Sequence, residues 1–239
     1  ASSAASDVYK RQQIDRLVSD GMEQEEALYK VLKETIIASQ NIRFEGDGYS
    51  DEWKDEAARR GLTNICHVPE AIMKFNDPQS RSVLIGEKIF NENELNCRIE
   101  VELEKFTKKV QIESRVLGDL AINHIVPTAV IYQNRLLENL RGLKEIFSTE
   151  EYEEMTADRK DLVREIQRRI LSIKKAVHDM TEARKVANHL GSQVEKAFSY
   201  EEKVRPYLEE IREHIDSLEL EIDDEIWPLP KYRELLFTK

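Results

Sequence analysis

Five histidines and two cysteines are the residues of this chain best suited to hold a metal or to act as nucleophiles, and their spacing argues against both. His67, His124, His178, His189 and His214 are scattered, and none has a His or Cys partner at a spacing suited to a local metal site. The one contiguous pair, Cys66–His67, has poor geometry for shared chelation. Cys66 and Cys97 form no CxxC motif and fit a reduced, cytoplasmic compartment. There is no Gly-rich phosphate loop, no HExxH and no GxSxG. By residue type and spacing, this chain carries no catalytic constellation.

Two polar groupings remain as candidate contact sites. The first is Asn123, His124 and Pro127, which interrupt an otherwise apolar-periodic stretch. Pro127 cannot donate to the carbonyl of Asn123 and its ring crowds that carbonyl, so an acceptor is left open inside a helix. The functional reading is a contact point for a partner loop, and the structural one is a bend that fits the helix to its neighbours. The second is the loop Asn41–Trp53, where Arg43, Glu45, Asp47 and Asp51 crowd around two glycines. Its acids lack the spacing of an EF-hand. A solvated connection anchored by Phe44 and Trp53 is the competing explanation.

The elements that would position these residues are helices. Of 239 residues, 35% are charged, with only 8 Gly and 6 Pro, a balance that favours helix over a turn-rich β fold. The net charge of −11 disfavours nucleic acid and anionic membrane as partners. No apolar run approaches the ~18 residues of a membrane span. The expected fold is all-α: a long antiparallel, coiled-coil-like bundle of three long helices, with a set of short helices towards the N-terminus.

Asn93–Phe147 reads as the spine, broken in its regularity only by Pro127. Ile99, Leu103, Phe106, Val110, Leu117 and Leu120 keep a near-heptad rhythm. Leu95, Ile112 and Val116 broaden that face, and Ile131, Leu136, Leu137, Leu140, Leu143 and Ile146 continue the burial. Ser148 and Glu151 form a capping box for a second long helix, inward at Leu162, Ile166, Ile170, Ile173, Val177 and Met180 and ending at Gly191. A third carries Val204, Leu208, Ile211, Ile215, Leu218 and Ile222. Pro206 sits in its first turns if it starts after Ser199, and kinks it if it starts near Ser192.

Upstream, Ile14–Ser39 has a helical stripe that Gly21 interrupts. Ser50 is an N-cap for a short helix stopped by Gly61, Pro69 opens another, and Ser82–Phe90 is a third. The first dozen residues, ASSAASDVYKRQ, match nothing periodic; SDVYKRQ is the translation of a transposon-end DNA, and residues 1–12 read as a cloning scar. The natural chain is then expected to extend upstream. Residues 13–92 form a first segment, 93–224 the bundle and 225–239 a tail. In the tail, Pro228 and Pro230 fix an extended segment and Lys231–Phe237 closes with a short helix. Trp227, Leu229, Tyr232 and Leu235 are too apolar to stay in water, so the tail is expected to dock.

Three stretches together resemble a known family. IRFEGDGYSDEWKDEAARRGL, RVLGDLAINHIVPTAVIYQNRLLENLRGLKEIF and IDDEIWPLPKYRELLF are similar, in this order, to the C-terminal region of type III glutamine synthetases. The resemblance implies an enzyme that joins ammonia to glutamate with ATP and a divalent metal (Mg or Mn) through a γ-glutamyl phosphate. It places the ATP, metal and glutamate contacts on an upstream barrel-like domain whose motifs are not in this chain. No catalytic, cofactor-binding or metal-binding residue is therefore carried over. It also implies a homo-oligomer of hexameric rings, with the bundle packed on sister subunits or on its own catalytic domain. The alternative is a stand-alone coiled-coil interaction module without enzymatic activity.

Overall fold

The long helices start where side chains can satisfy the free amides of a first turn. The computed structural model describes residues 2–236, and every regular element among them is helical. The side chains of residues 2–7, 232 and 233 lie outside the described set. Two compact units divide between Asn64 and Ile65.

In the first unit, α1 (Ser2–Ser19) and α2 (Gln24–Ala38) form a hairpin. Helix α1 starts upstream of Ile14, within the segment read as a scar. The interruption expected at Gly21 is a helix end: Gly21 takes φ +95°, and the Met22 amide donates to the Leu17 carbonyl at 3.0 Å. Helix α3 (Asp51–Arg59) has the expected caps. Ser50 Oγ accepts the Trp53 amide at 3.3 Å, and Gly61, at φ +70°, is followed by a Leu62 amide that donates to Ala57 at 2.8 Å.

The second unit begins with α4 (Val68–Met73), which has Pro69 in its first turn, and α5 (Pro78–Gly86). Helix α5 starts four residues before the expected Ser82, because Pro78 supplies a preset φ at the first position. It stops short of Phe90 because Lys88 turns left-handed, at φ 57°, and its amide caps the Ile85 carbonyl. The spine follows as α6 (Glu92–Leu120), a π-helical turn at Ala121–Ile125, and α7 (Val126–Ile146). A capping box opens it: Asn91 Oδ1 accepts the Glu94 amide at 2.9 Å and Glu94 returns the favour to the Asn91 amide at 2.8 Å.

Helix α8 (Thr149–Asn188) starts at the expected Ser148–Glu151 box and runs back along the spine. Gln133 bonds Val163, Arg159 bonds Asn139 and Gln111 bonds Asn188, which fixes the antiparallel sense. The third long helix comprises α9 (Gln193–Ser199), a second π turn at Tyr200–Val204, and α10 (Arg205–Glu221). Lys196 lies beside Glu104 and Asp223 is 3.4 Å from Arg135, so this helix is parallel to the spine. The bundle is therefore up, down, up.

One core runs the length of the bundle through Val110, Ile125, Ile166, Ile173, Met180, Ile211, Ile215 and Leu218. Each fully buried aliphatic side chain of this kind contributes roughly 1.5–3 kcal/mol. A second cluster, Leu95, Ile99, Leu103 and Ala197, takes Ile72, Met73, Leu84 and Ile85 from the short helices, which is why α4 and α5 belong with the bundle.

Four spine residues expected to point inward do not. Ile112, Val116, Ile131 and Ile146 are 62%, 52%, 52% and 77% exposed. Ile112 lies two residues from both Val110 and Ser114, about 200° around the helix from each. The two long neighbours reach only the face that Val110 and Ser114 share. The tail does pack on its own bundle. Trp227 is buried in the main core with Ile226 and Leu229 against it, and Lys231 Nζ donates to the Glu219 carbonyl at 2.7 Å. A last short helix, α11 (Tyr232–Leu235), leaves Leu235 exposed. Phe237, expected in that helix, and the Tyr232 side chain lie outside the described residues.

Candidate functional site

The two prolines inside long helices share one backbone device. In the spine, the Val126 amide donates to the Ala121 carbonyl five residues back, and Pro127 follows. In the third helix, the Arg205 amide donates to the Tyr200 carbonyl in the same way, and Pro206 follows. Widening one turn from four to five residues lets a helix continue past a residue that has no amide to give. The last helix thus begins after Ser192, and Pro206 lies at an irregularity inside it.

The two junctions differ in what surrounds them. At the first, Ala121 and Ile125 are buried while Asn123, His124 and Pro127 are exposed. Asn123 Nδ2 donates to Asp119 at 2.6 Å, and Thr128 Oγ1 donates to the His124 carbonyl at 2.9 Å. The open polar face is thus a short strip of amide and imidazole beside a ring.

The second junction is buried. Tyr200 and Val204 have no exposed surface, and the Tyr200 hydroxyl is 2.8 Å from Asn188 Oδ1, which also takes a bond from Gln111. Burial pushes the Tyr200 phenol above its ordinary range. Beside it, the Glu201 side chain is 5% exposed and holds two partners. Arg205 Nη1 is 2.8 and 3.1 Å from its oxygens, and His67 Nδ1 is 2.8 Å away. This contact joins residues 134 positions apart. Sequence reasoning weighed His67 only with Cys66 and missed Glu201. A glutamate four residues before Arg205 is the local signal, and it is one shared by many pairs on these helices.

A cleft of about 510 Å³ opens next to this cluster, floored by Val68, Ile72, Phe106 and Val110. Lys105, Lys109 and Arg205 at its rim are matched by Glu102, Glu113 and the underlying Glu201. Three charges of each sign leave no net field for an anion.

The loop Asn41–Trp53 does bring its residues together. Phe44 packs against Trp53 with the rings tilted by 43° and their centroids 4.9 Å apart, and Arg43 lies 3.9 Å from Glu45. Asp47 accepts the Tyr49 amide at 2.9 Å, and its carbonyl takes Ser50 Oγ at 2.7 Å, which sets the cap of α3. Arg60 donates back to the carbonyls of Asn41 and Arg43. Glu56, hydrogen-bonded by Arg59 and then Arg60, has its pKa lowered to about 2. The Asp47 and Arg60 contacts close this loop, while Asp51 pairs with Lys54 inside α3. Trp227, at the other end of the chain, lies in the bundle core under Lys231.

No three His, Cys, Asp or Glu among the described residues gather to hold a metal ion, and Cys66 and Cys97 are both exposed and free. No helix among them is long and apolar enough to cross a membrane. The geometry defines a helical packing module with polar contacts that lock turns and helix ends.

Known proteins carry similar sequences. Residues 27–144 match the glutamine synthetase C-terminal domain. The chain is 72% identical over 226 residues to a glutamine synthetase of Bacteroides fragilis, covering 95% of this chain and 31% of that protein. It is 27% identical over 223 residues to the type-3 glutamine synthetase of Dictyostelium discoideum. It is 28% identical over 218 residues to a glutamine synthetase of Butyrivibrio fibrisolvens. The chain is similar to these glutamine synthetases, and about half of it matches their C-terminal domain. It spans 29–31% of the length of these curated relatives.

Proposed function

We propose that this chain is the C-terminal helical region of a cytoplasmic, ATP-dependent glutamate–ammonia ligase of type III, and that it serves assembly rather than the chemical step. The observation that carries this is the 72% identity across 95% of the chain to a glutamine synthetase about three times as long. ATP, magnesium or manganese and the glutamate contacts belong to the rest of such an enzyme. Among the described residues, no three His, Cys, Asp or Glu gather where a divalent ion could be held.

The assembly role is supported by the spine's uncovered face. Val101, Ile112, Val116 and Ile131 are all about half exposed or more along one long strut. With Asn123, His124 and Pro127, they form a surface suited to sister subunits of a ring-based homo-oligomer. Residues 1–12 are read as a cloning scar outside that enzyme.

Light scattering on the whole ligase, with and without residues 93–239, tests the role. A smaller particle is expected on deletion. An unchanged mass together with unchanged activity would sink the proposal.

A further inference from the structure

Helix α10 ends on a carboxylate that its surroundings do not favour. Glu221 is the last residue of the helix, and the last turn carries no basic side chain. A negative charge there lies beside free carbonyls, at the unfavourable end of the helix dipole. Glu221 Oε2 is buried and takes no hydrogen bond from the described residues. Arg169 Nε, on α8, is buried and unpartnered too, while the same guanidinium reaches Glu165 Oε1 through Nη2 at 2.7 Å. Glu165 also takes Arg168, at 2.5 and 2.9 Å. Burial pushes the Glu221 carboxyl above its ordinary range, Arg169 pulls it down, and the Glu165 charge adds to the rise against a weaker pull from Arg168.

This carboxyl stands at the root of the tail. Ile222, next to it, is buried, and the Ile226 and Trp227 amides both donate to the Asp223 carbonyl in the turn that carries Trp227 into the core. Asp223 pairs with Arg135 of the spine, and Asp224 pairs with Lys231, which also donates to the Glu219 carbonyl. Glu221 has only the two arginines that Glu165 already holds. His214, seven residues earlier, lies on the same face of α10.

We propose that Glu221 makes the seating of the C-terminal tail proton-dependent: its neutral carboxyl lets the end of α10 close on α8, and its ionised form loosens that end. A carboxyl that holds its proton more tightly in the folded chain than in the unfolded one stabilises the fold while protonated. That contribution is complete below the ordinary glutamate value of 4.5 and is lost as pH rises through the higher folded value. Acid costs stability wherever a salt-bridged carboxylate must take up a proton, yet it seats this tail more firmly.

Hydrogen-exchange protection of residues 222–227 in the 239-residue chain, with and without Glu221→Gln, tests it. At about pH 7.5 the variant should be about three- to tenfold better protected, and the gain should shrink towards one as pH falls to about 4.5. Comparing the two chains at each pH removes the titration of His214 and of the other carboxylates. Equal or lower protection in the variant at pH 7.5 would overturn the proposal, since the ionised carboxylate would then be a net partner of Arg169. A gain that stays constant down to pH 4.5 would also overturn it, because the effect would belong to the amide and not to the proton. In a Trp53→Phe background, Trp227 emission reports the tail alone. It should lie further to the red at pH 7.5 with Glu221 than with Gln, and identical emission would confine the effect to α10 and refute the claim for the tail.

Discussion

The two π turns, Ala121–Ile125 and Tyr200–Val204, are the same backbone solution in opposite surroundings. Each carries a helix past a proline that lies two residues beyond the turn. At the first, the polar residues Asn123 and His124 face solvent; at the second, Tyr200 and Glu201 face the core. A missing amide is a local problem with a local answer, so proline dictates the widened turn in both places. Whether that turn then becomes a surface feature or a core joint depends on which side the neighbouring helices cover. The difference has an energetic consequence, because a buried polar group must keep its partners while an exposed one can exchange them for water.

The comparison is sharpest at Tyr200. Tyr200→Ala should cost about 3–5 kcal/mol, the range for removing a fully buried aromatic side chain. It would be measured as a lower urea midpoint at unchanged slope. A loss below 1 kcal/mol would mean the second junction is not a core joint.

Glu201→Ala comes next, at about 1.5–3 kcal/mol, because it removes charge-assisted bonds to Arg205 and His67. Both partners are themselves part exposed, at 43% and 62%, so they rehydrate, which keeps the loss below that of a fully buried pair. Mobility of the Val68–Met73 helix should rise with it, visible as faster exchange there. Unchanged exchange would show that the His67 contact ties nothing down.

The smallest effect belongs to the first junction. Asn123→Ala and His124→Ala should each change stability by less than about 0.5 kcal/mol, since both side chains are exposed. A large loss from either would break the contrast and give the exposed face a structural role.

Much of the fold was legible because its signals are short-range. Ser50, Gly61, Ser148 and the proline at position 69 mark helix ends through contacts within four residues. The three long helices follow from apolar periodicity, which survives even two widened turns. The start of the last helix could not be chosen between Ser192 and Ser199, because both are sound caps and only packing of Ala197 and Tyr200 decides between them. Asn123, His124 and Pro127 were visible as an irregularity; that they face outward was not.

Residue order alone determined the helical class and many of the helix ends, and it carries the family resemblance through stretches such as NHIVPTA and WPLPKYRELLF that helix composition does not generate. Tertiary structure decided the rest. Ile112 and Ile146 are as apolar as Ile166 and Ile173, yet the first two are exposed and the last two are buried. Glu201 is one of many glutamates on long helices, yet it alone among the described carboxylates joins Arg205 to His67. Periodicity says which faces can be buried; which of them are buried depends on how many neighbours the bundle supplies and which side they occupy.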